Sequence, residues 1–310
     1  MSRSDWENIV IKTSGFLVAA ALALTACDGT VPPPALLPSA SIGYATAANN
    51  VQGQNQGVTF VNGPQLVAFA PGGSSLSRTD LRISNAVAND GKIEVTVDGT
   101  PFVAHENLDL AGNVISYTGS NGSKTFNLFP MASETYAVLN GIAVADSAGG
   151  PGLSGYSAMG FVTSPTTISG KGAVPSSPNA FATYSGNSFA NVYKNNGLTA
   201  SNSGNLFVAV DFVNSSFAGS MDLNQSQTAG PINLWFSDGK INGHMMTATV
   251  GINVPAQVGM QSGVQPSSQL TGSFFGPDAE NVAGQFNLTG TSNDVTPQNV
   301  VVQGGFIGKK

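Results

Sequence analysis

The chain has 310 residues, and only 9% of them are charged, against about 25% in ordinary soluble domains. It contains 38 glycines, and its formal net charge is −6. Few charges combined with many Gly, Ser, Thr and Asn residues favour short strands joined by turns over helices. Nucleic acid is excluded as an expected partner, because binding phosphates requires a surplus of Lys and Arg.

The first 26 residues have the pattern of a lipoprotein signal peptide. The apolar run from Phe16 to Ala26 is 11 residues long, which is too short to span a bilayer, since a spanning helix needs about 20. The run ends in Leu24-Thr25-Ala26-Cys27, which looks like the bacterial lipobox, where the thiol after the cut accepts the lipid. Cys27 is the only cysteine in the chain, so it is the predicted lipidation site and leaves no thiol for an intrachain disulfide.

The rest of the chain divides into a tether and two predicted domains. Residues 27–40 are rich in proline, which is typical of a semi-extended spacer. Residues 170–180, GKGAVPSSPNA, form the predicted boundary, because their two prolines cannot occupy a central strand. We therefore expect a β-rich domain over residues 41–170 and a second domain over residues 171–310. Turn dipeptides such as Asp98-Gly99 and Asp238-Gly239 separate the predicted strands.

Eight candidate strands in the second domain predict a closed antiparallel barrel. They cover residues 180–186, 204–213, 217–223, 231–236, 240–251, 268–275, 283–290 and 299–307. In the second of them Leu206, Val208 and Phe212 fall on one face. Closure removes exposed strand edges, so the last strand is expected to pair with the first. The predicted fold class is all-β, with a β-rich N-terminal domain followed by an eight-stranded barrel.

A segment near the C-terminus carries a family resemblance. The stretch TGSFFGPDAENVAGQF, residues 271–286, resembles the signature of the C-terminal β-barrel of transferrin-binding protein B-like surface lipoproteins. The matching residues are Gly272, Phe274, Gly276, Pro277, Ala279, Glu280, Gly284 and Phe286. Residues 182–186, 210–219 and 304–310 extend the resemblance over residues 178–310, which implies that residues 41–170 are the "handle" domain of that family. From the residues themselves, we interpret the motif as a structural corner: one helical turn at residues 277–280, with Gly284 allowing the bend into the next strand.

The sequence contains no catalytic or metal-binding motif. A zinc site needs three or four ligands, whereas the chain has two histidines and a cysteine assigned to the lipid. We therefore expect a protein that is not an enzyme. His244 and Met246 are the candidate ligands, because His and Met both ligate haem iron and the family resemblance implies that some relatives bind haem; His105 is a further candidate. The alternative is that His244 and Met246 simply share one face of the strand over residues 240–251.

The expected function is that of a lipid-anchored surface lipoprotein that binds a protein or small molecule without catalysis. Tyr184, Phe189, Tyr193 and Trp235 are candidate exposed aromatics for gripping a partner. The resemblance implies the outer-membrane surface, iron or haem acquisition, a surface lipoprotein translocon and an outer-membrane transporter as partners. Transferrin itself is disfavoured, because the known transferrin binders are longer and have two lobes. The alternative is a structural or adhesive surface lipoprotein.

Overall fold

A computed structural model describes residues 58–310 except 61–64, 71–72, 79–81, 88–91, 98, 111–113, 150–151, 195–196, 227–229, 254–257, 262–266 and 296–298. The predicted signal peptide, Cys27 and the tether lie outside the described residues. Antiparallel strands build an open sheet followed by a closed barrel, which confirms the predicted fold class. In the described part, no helix combines the length and the apolar character needed to cross a bilayer.

The open sheet comprises ten strands within the described residues. They are β1 (Val58–Phe60), β2 (Gln65–Ala70), β3 (Gly73–Arg78), β4 (Arg82–Val87), β5 (Lys92–Val97), β6 (Thr100–Leu108), β7 (Val114–Asn121), β8 (Lys124–Ser133), β9 (Ala137–Asp146) and β10 (Gly152–Phe161). Strands β4 to β10 pair in sequence order. β10 then pairs with both β1 and β2, and β2 pairs with β3. The last strand of the sheet, β10, thus pairs with the first two strands. This pairing joins distant parts of the chain beside the barrel.

One face of the sheet encloses an apolar core. Alternation places Phe102 and Ala104 of β6 in this core, while Val103 and His105 point to solvent. Phe102 packs against Phe126 of β8 with ring centroids 5.6 Å apart. Strands β6 and β8 thus bury about one side chain in two, as expected for a sheet with one solvated face, whereas β9 and β10 are buried on both faces along most of their length.

The barrel has eight strands in the described residues, as the sequence predicts. They are β11 (Phe181–Lys194), β12 (Gly197–Asp211), β13 (Ser216–Ser226), β14 (Ile232–Asn242), β15 (Met245–Ile252), β16 (Ser267–Phe275), β17 (Asn281–Thr291) and β18 (Asn299–Lys309). β18 pairs with β11 from Ser185↔Lys309 to Lys194↔Val300, which closes the barrel. The first strand is longer than predicted, because the second half of β11 carries Asn191 and Tyr193 on a face that is buried against the sheet and so lacks a polar–apolar alternation.

The predicted turn at Asp238-Gly239 is wrong. β14 continues through these residues, and Asp238 takes a φ of 54°. The pairing register shifts there on both sides of β14, so the dipeptide forms a bulge that absorbs the left-handed residue. The hairpin turn instead lies at Gly243 and His244, where Gly243 has a φ of 59°. A single strand over residues 240–251 is therefore also wrong.

The family motif forms the corner between β16 and β17, but by a different geometry from the one predicted. Gly276 and Ala279 take φ values of 92° and 54°, so residues 276–279 form a turn with left-handed residues at its ends rather than a helical turn. Gly284 does not bend the chain. It lies inside β17 opposite Gly272, and a Cβ there would lie 2.6 Å from Gly272 Cα and 2.7 Å from Phe306 Cζ. This glycine is needed for close packing.

A short helix covers one end of the barrel. Helix α1 (Pro165–Gly172) begins after Ser164, whose hydroxyl accepts a hydrogen bond from Thr167 N at 3.3 Å and so caps the helix. Its Ile168 belongs to the same buried cluster as Phe212 and Phe274 of the barrel. The predicted boundary segment, residues 170–180, therefore contains the end of α1 and a 3-10 turn, Pro178–Ala180.

The Lys171 side chain fixes this helix to the corner. Its ammonium group lies 2.5 Å from an Asp278 carboxylate oxygen and 5.9 Å from the centre of the Phe212 ring. The Lys171 side chain is only 4% exposed, whereas Asp278 is 60% exposed. The hydrogen bond from Lys171 is the main cause that lowers the pKa of Asp278.

The sheet covers the outward faces of β11, β17 and β18. Leu139 of β9 and Tyr156 of β10 share a buried cluster with Phe189, Ala283 and Ile307 of the barrel. Backbone bonds continue the contact, since Thr163 N donates to Phe274 O and Gly276 N donates to Phe161 O. One side of the barrel is therefore buried on both faces of its strands.

Replacing Gly284 by alanine should destabilise the protein by about 1–3 kcal/mol, because the added methyl group meets backbone and ring atoms in a closed core. Gly290→Ala in the same strand is the matched control, since its Cβ would meet the flexible Met260 side chain at 3.0 Å or more. Urea unfolding followed by circular dichroism measures both. Equal stabilities of the two variants would contradict the packing role of Gly284.

Replacing Asp278 by asparagine should cost about 1–3 kcal/mol, because the buried Lys171 ammonium loses its charged acceptor. Asp294→Asn is the control: its pair with Lys194 lies near the surface and should contribute about 0–1 kcal/mol. Because the folded pKa of Asp278 is depressed, its contribution is present above the unfolded value of about 3.9 and is lost as the pH falls through the folded pKa. A pH-independent difference between wild type and Asp278→Asn from pH 7 down to 2 would contradict this assignment.

Candidate binding surface

Two exposed aromatic side chains lie on the side of the barrel away from the sheet. Phe207 of β12 is 49% exposed and Trp235 of β14 is 42% exposed. Both residues pair with Ser220 on the intervening strand β13, one from each side. They therefore stand in one row across three strands, with a small residue between them.

The backbone beside Trp235 is shaped to receive its indole ring. The next residue in the row is Gly251 of β15. A Cβ on Gly251 would collide with ring atoms of Trp235 and lie 2.7 Å from its Nε1. The indole thus lies across the glycine, against the outside of the barrel, and presents its other face to solvent.

Asp222 completes this surface. It pairs with Asn205 on β12 and with Asn233 on β14, which places it two positions from Ser220 on the same face. Asp222 is exposed, and it forms no ion pair within the described part of the chain. We call Phe207, Asp222 and Trp235, with the intervening Ser220, the aromatic face.

The four aromatics expected to be exposed are mostly internal. Tyr184, Phe189 and Tyr193 are buried, so their assignment as surface residues is wrong, and only Trp235 is exposed. Tyr184 points into the barrel and donates its hydroxyl hydrogen bond to Ala279 O at 2.7 Å, and burial raises its pKa strongly. Tyr193 faces the sheet, where burial raises its pKa to about 12.

Sequence reasoning missed Phe207, although a signal for it exists. The stretch NLFVAVDFV buries Leu206, Val208 and Val210 inside the barrel, so the alternate positions must face outward. On a solvated face a polar residue is expected. An aromatic residue at Phe207 departs from that alternation and could have been singled out once the barrel was assumed.

The structure does not bring the predicted haem ligands together. Met246 is fully buried in the barrel core. His105 is exposed on β6 of the open sheet, whereas Met246 belongs to the barrel. His244 lies in the turn between β14 and β15, so the prediction that it shares a face with Met246 is wrong.

The His244 side chain carries one ring nitrogen that is buried and has no hydrogen-bond partner among the described residues. Its backbone oxygen accepts bonds from Phe274 N at 3.0 Å and Ser273 Oγ at 3.1 Å, which fixes the turn. The imidazole is half-buried, and its Nδ1 has no hydrogen-bond partner among the described residues. Desolvation lowers the pKa of the ring, so the neutral, ligating form is favoured at neutral pH.

The described residues include no group of three or more His, Cys, Asp or Glu side chains that could hold a metal ion. What the aromatic face offers is non-covalent contact: two exposed rings, an exposed carboxylate and flanking amides. Exposed aromatic side chains on rigid strands lose little conformational entropy on binding and supply a large contact area.

Comparison with known proteins assigns the barrel to a family. Residues 174–310 match the family model for the C-lobe and N-lobe β-barrels of transferrin-binding protein B. No curated protein sequence matches the chain significantly.

Among solved structures, the chain is similar to two mutants of the vaccine antigen transferrin-binding protein B from Haemophilus parasuis Hp5. The double mutant shares 16% identity with a TM-score of 0.46, covering 79% of this chain and 45% of that one. The single mutant shares 17% identity with a TM-score of 0.43, covering 82% of this chain and 45% of that one. The aligned part of this chain thus covers less than half of that protein. Over residues 174–310, the barrel of this chain therefore matches the family of transferrin-binding protein B β-barrels.

Proposed function

We propose that this protein is a lipid-anchored surface lipoprotein of the outer membrane that binds its partner without catalysis. The observation that carries the proposal is the aromatic face, on which Phe207 and Trp235 remain exposed on strands whose inward residues fill a closed core. Exposed aromatics grouped on one surface are a mark of interaction sites. Membership of the barrel in a family named for transferrin binding supports the same proposal.

The anchor is proposed to be the lipidated Cys27. An apolar run of 11 residues, followed by small residues and the single cysteine, supports this assignment. Asp28 can act as an inner-membrane retention signal in enteric bacteria, whereas the family resemblance favours the outer-membrane surface. Delivery there would depend on a surface lipoprotein translocon.

The partner is proposed to be a host or environmental protein or a small molecule connected with iron. Transferrin is the cargo after which the family is named, although the structural match covers only 45% of one such protein. An outer-membrane transporter is the natural recipient of captured iron cargo. The alternative function is a structural or adhesive lipoprotein, which would keep the aromatic face but transfer no cargo.

Haem is a second candidate ligand on the strength of His244. Its lowered pKa favours the neutral imidazole that iron binds, but its unpartnered Nδ1 is buried, so an iron atom would reach that nitrogen only if the turn rearranged. Met246 offers no axial ligand without opening the barrel, and His105 lies on another sheet. Haem binding would therefore require a second ligand from elsewhere.

Changing Cys27 to serine should leave the precursor unprocessed or release the protein from membranes, because a serine hydroxyl does not take the place of the thiol as lipid acceptor. Metabolic labelling with palmitate and membrane fractionation measure both effects. Thr25→Ser is the matched control, since it keeps a small hydroxyl residue at the same motif and should be processed normally. A Cys27→Ser protein that is still labelled and still cleaved would refute the anchor.

Binding is tested on the full chain, solubilised in a non-ionic detergent, with iron-loaded transferrin and haemin as separate probes. If transferrin is captured, the double variant Phe207→Ser, Trp235→Ser should weaken that capture about tenfold or more, because two aromatic contacts of about 1 kcal/mol each are lost. Val103→Ser with Leu108→Ser, exposed on the sheet, is the matched control and should bind normally.

Haemin binding is measured separately, by absorption spectroscopy. A shifted Soret band that disappears in His244→Ala would make haem the cargo. Absence of binding to both probes, together with loss of cell attachment when the gene is removed, would replace the uptake proposal by the adhesive one. Turnover of any substrate by the purified chain would remove the binding proposal.

A further inference from the structure

We propose that the aromatic face recognises a cationic side chain, an Arg or Lys on an extended or loop segment of a protein partner. The inference rests on the proposed binding function and adds the chemistry of the group that the face accepts. It follows from where Asp222 stands relative to the two rings.

Asp222 is the diagonal neighbour of both aromatics. Ser220 pairs with Phe207 on one side and with Trp235 on the other, and Asp222 lies two residues further along the same strand. Side chains in this relation have Cα atoms about 7–8 Å apart and remain within reach of one ligand group. The carboxylate therefore lies between the two rings along one edge of the aromatic face.

All three groups attract the same kind of charge. The face of an aromatic ring carries negative electrostatic potential and attracts Arg or Lys within about 6 Å of its centre. Asp222 adds a full negative charge, and in the described part no cation lies close enough to form an ion pair with it. Lys240 is the nearest described Lys or Arg by register on these strands, but it pairs with Ser216, six residues from Asp222 along β13.

The same charges disfavour other occupants. A chain with a net charge of −6 repels anionic lipids and nucleic acids. A two-fold contact between copies over this face would bring one Asp222 towards the other, since both copies use the same patch. A guanidinium or ammonium group instead stacks on a ring while it pairs with the carboxylate, which uses the whole face.

The sequence makes this site directly observable. The chain contains two tryptophans, Trp6 in the predicted signal peptide and Trp235 on the aromatic face. In the full chain carrying Trp6→Phe, intrinsic fluorescence therefore reports on Trp235 alone. The probes are acetyl-tetraarginine amide and acetyl-tetraglutamate amide, titrated into the detergent-solubilised protein at 50 mM salt.

Tetraarginine should change Trp235 emission with a saturable dependence on concentration, and tetraglutamate should not. Asp222→Asn should weaken the binding of tetraarginine about 2- to 5-fold, the effect of one exposed cation contact or ion pair. Phe207→Leu should weaken it by a similar factor. Asp238→Asn is the matched control, because Asp238 is exposed on β14, outside the aromatic face, and asparagine tolerates its left-handed conformation.

Three results would overturn the inference. The first is no saturable response to tetraarginine. The second is equal weakening by Asp222→Asn and Asp238→Asn, which would show a general charge effect. The third is a response to maltoheptaose, or to protein concentration alone, that matches or exceeds the response to tetraarginine; it would assign the face to a neutral glycan or to self-association. A response to maltoheptaose or to protein concentration would overturn the cation preference but would still agree with the proposed binding function. Failure of transferrin and haemin to bind would concern the proposed function and not the cation preference.

Discussion

The structure depends on the burial of β18 from both sides. Phe306 and Val302 point into the barrel, while Ile307 and Val301 point outward and are buried as well. A strand of a closed barrel ordinarily needs only its inner residues to be apolar. Here the sheet strands β9 and β10 cover the outer residues, so the strand that closes the barrel also joins it to the sheet.

Small residues make this double contact geometrically feasible. A Cβ at Gly305 would lie 2.6 Å from Leu139 Cδ1, and one at Gly160 would lie 2.7 Å from Phe275 Cδ1. Backbone of one part therefore touches side chains of the other across the junction. The turn at Gly276 and Ala279 adds to the junction, because Gly276 O accepts a bond from Thr163 Oγ1 at 2.8 Å. The family motif is thus explained by packing between the last sheet strand, helix α1 and the corner of the barrel.

The sequence was sufficient to predict the strands whose two faces differ. β12 alternates between core and solvent over residues 204–211, which lie within the predicted strand over residues 204–213, whereas its first seven residues, 197–203, were not predicted. β11 and the segment over residues 237–244 were not predicted correctly, for two physical reasons. The outer face of β11 is covered by a part of the chain remote in sequence, so Tyr193 resembles a surface residue until the sheet is present. The Asp238-Gly239 pair satisfies the rule for a turn, yet a bulge accommodates the same left-handed residue without ending the strand.

Folding explains the outward apolar residues on the covered side of the barrel but not those of the aromatic face. On the covered side of the barrel, an outward apolar residue such as Ile307 is explained by burial against the sheet. On the free side no described element covers Phe207 or Trp235, so a polar residue there would satisfy the strand pairing and leave the core unchanged. Exposed rings contribute little burial free energy to folding, because most of that gain comes from area removed from water. Within the fold, Gly251 serves only to leave room for the Trp235 ring. The two rings and the carboxylate between them are best explained by a partner that covers them.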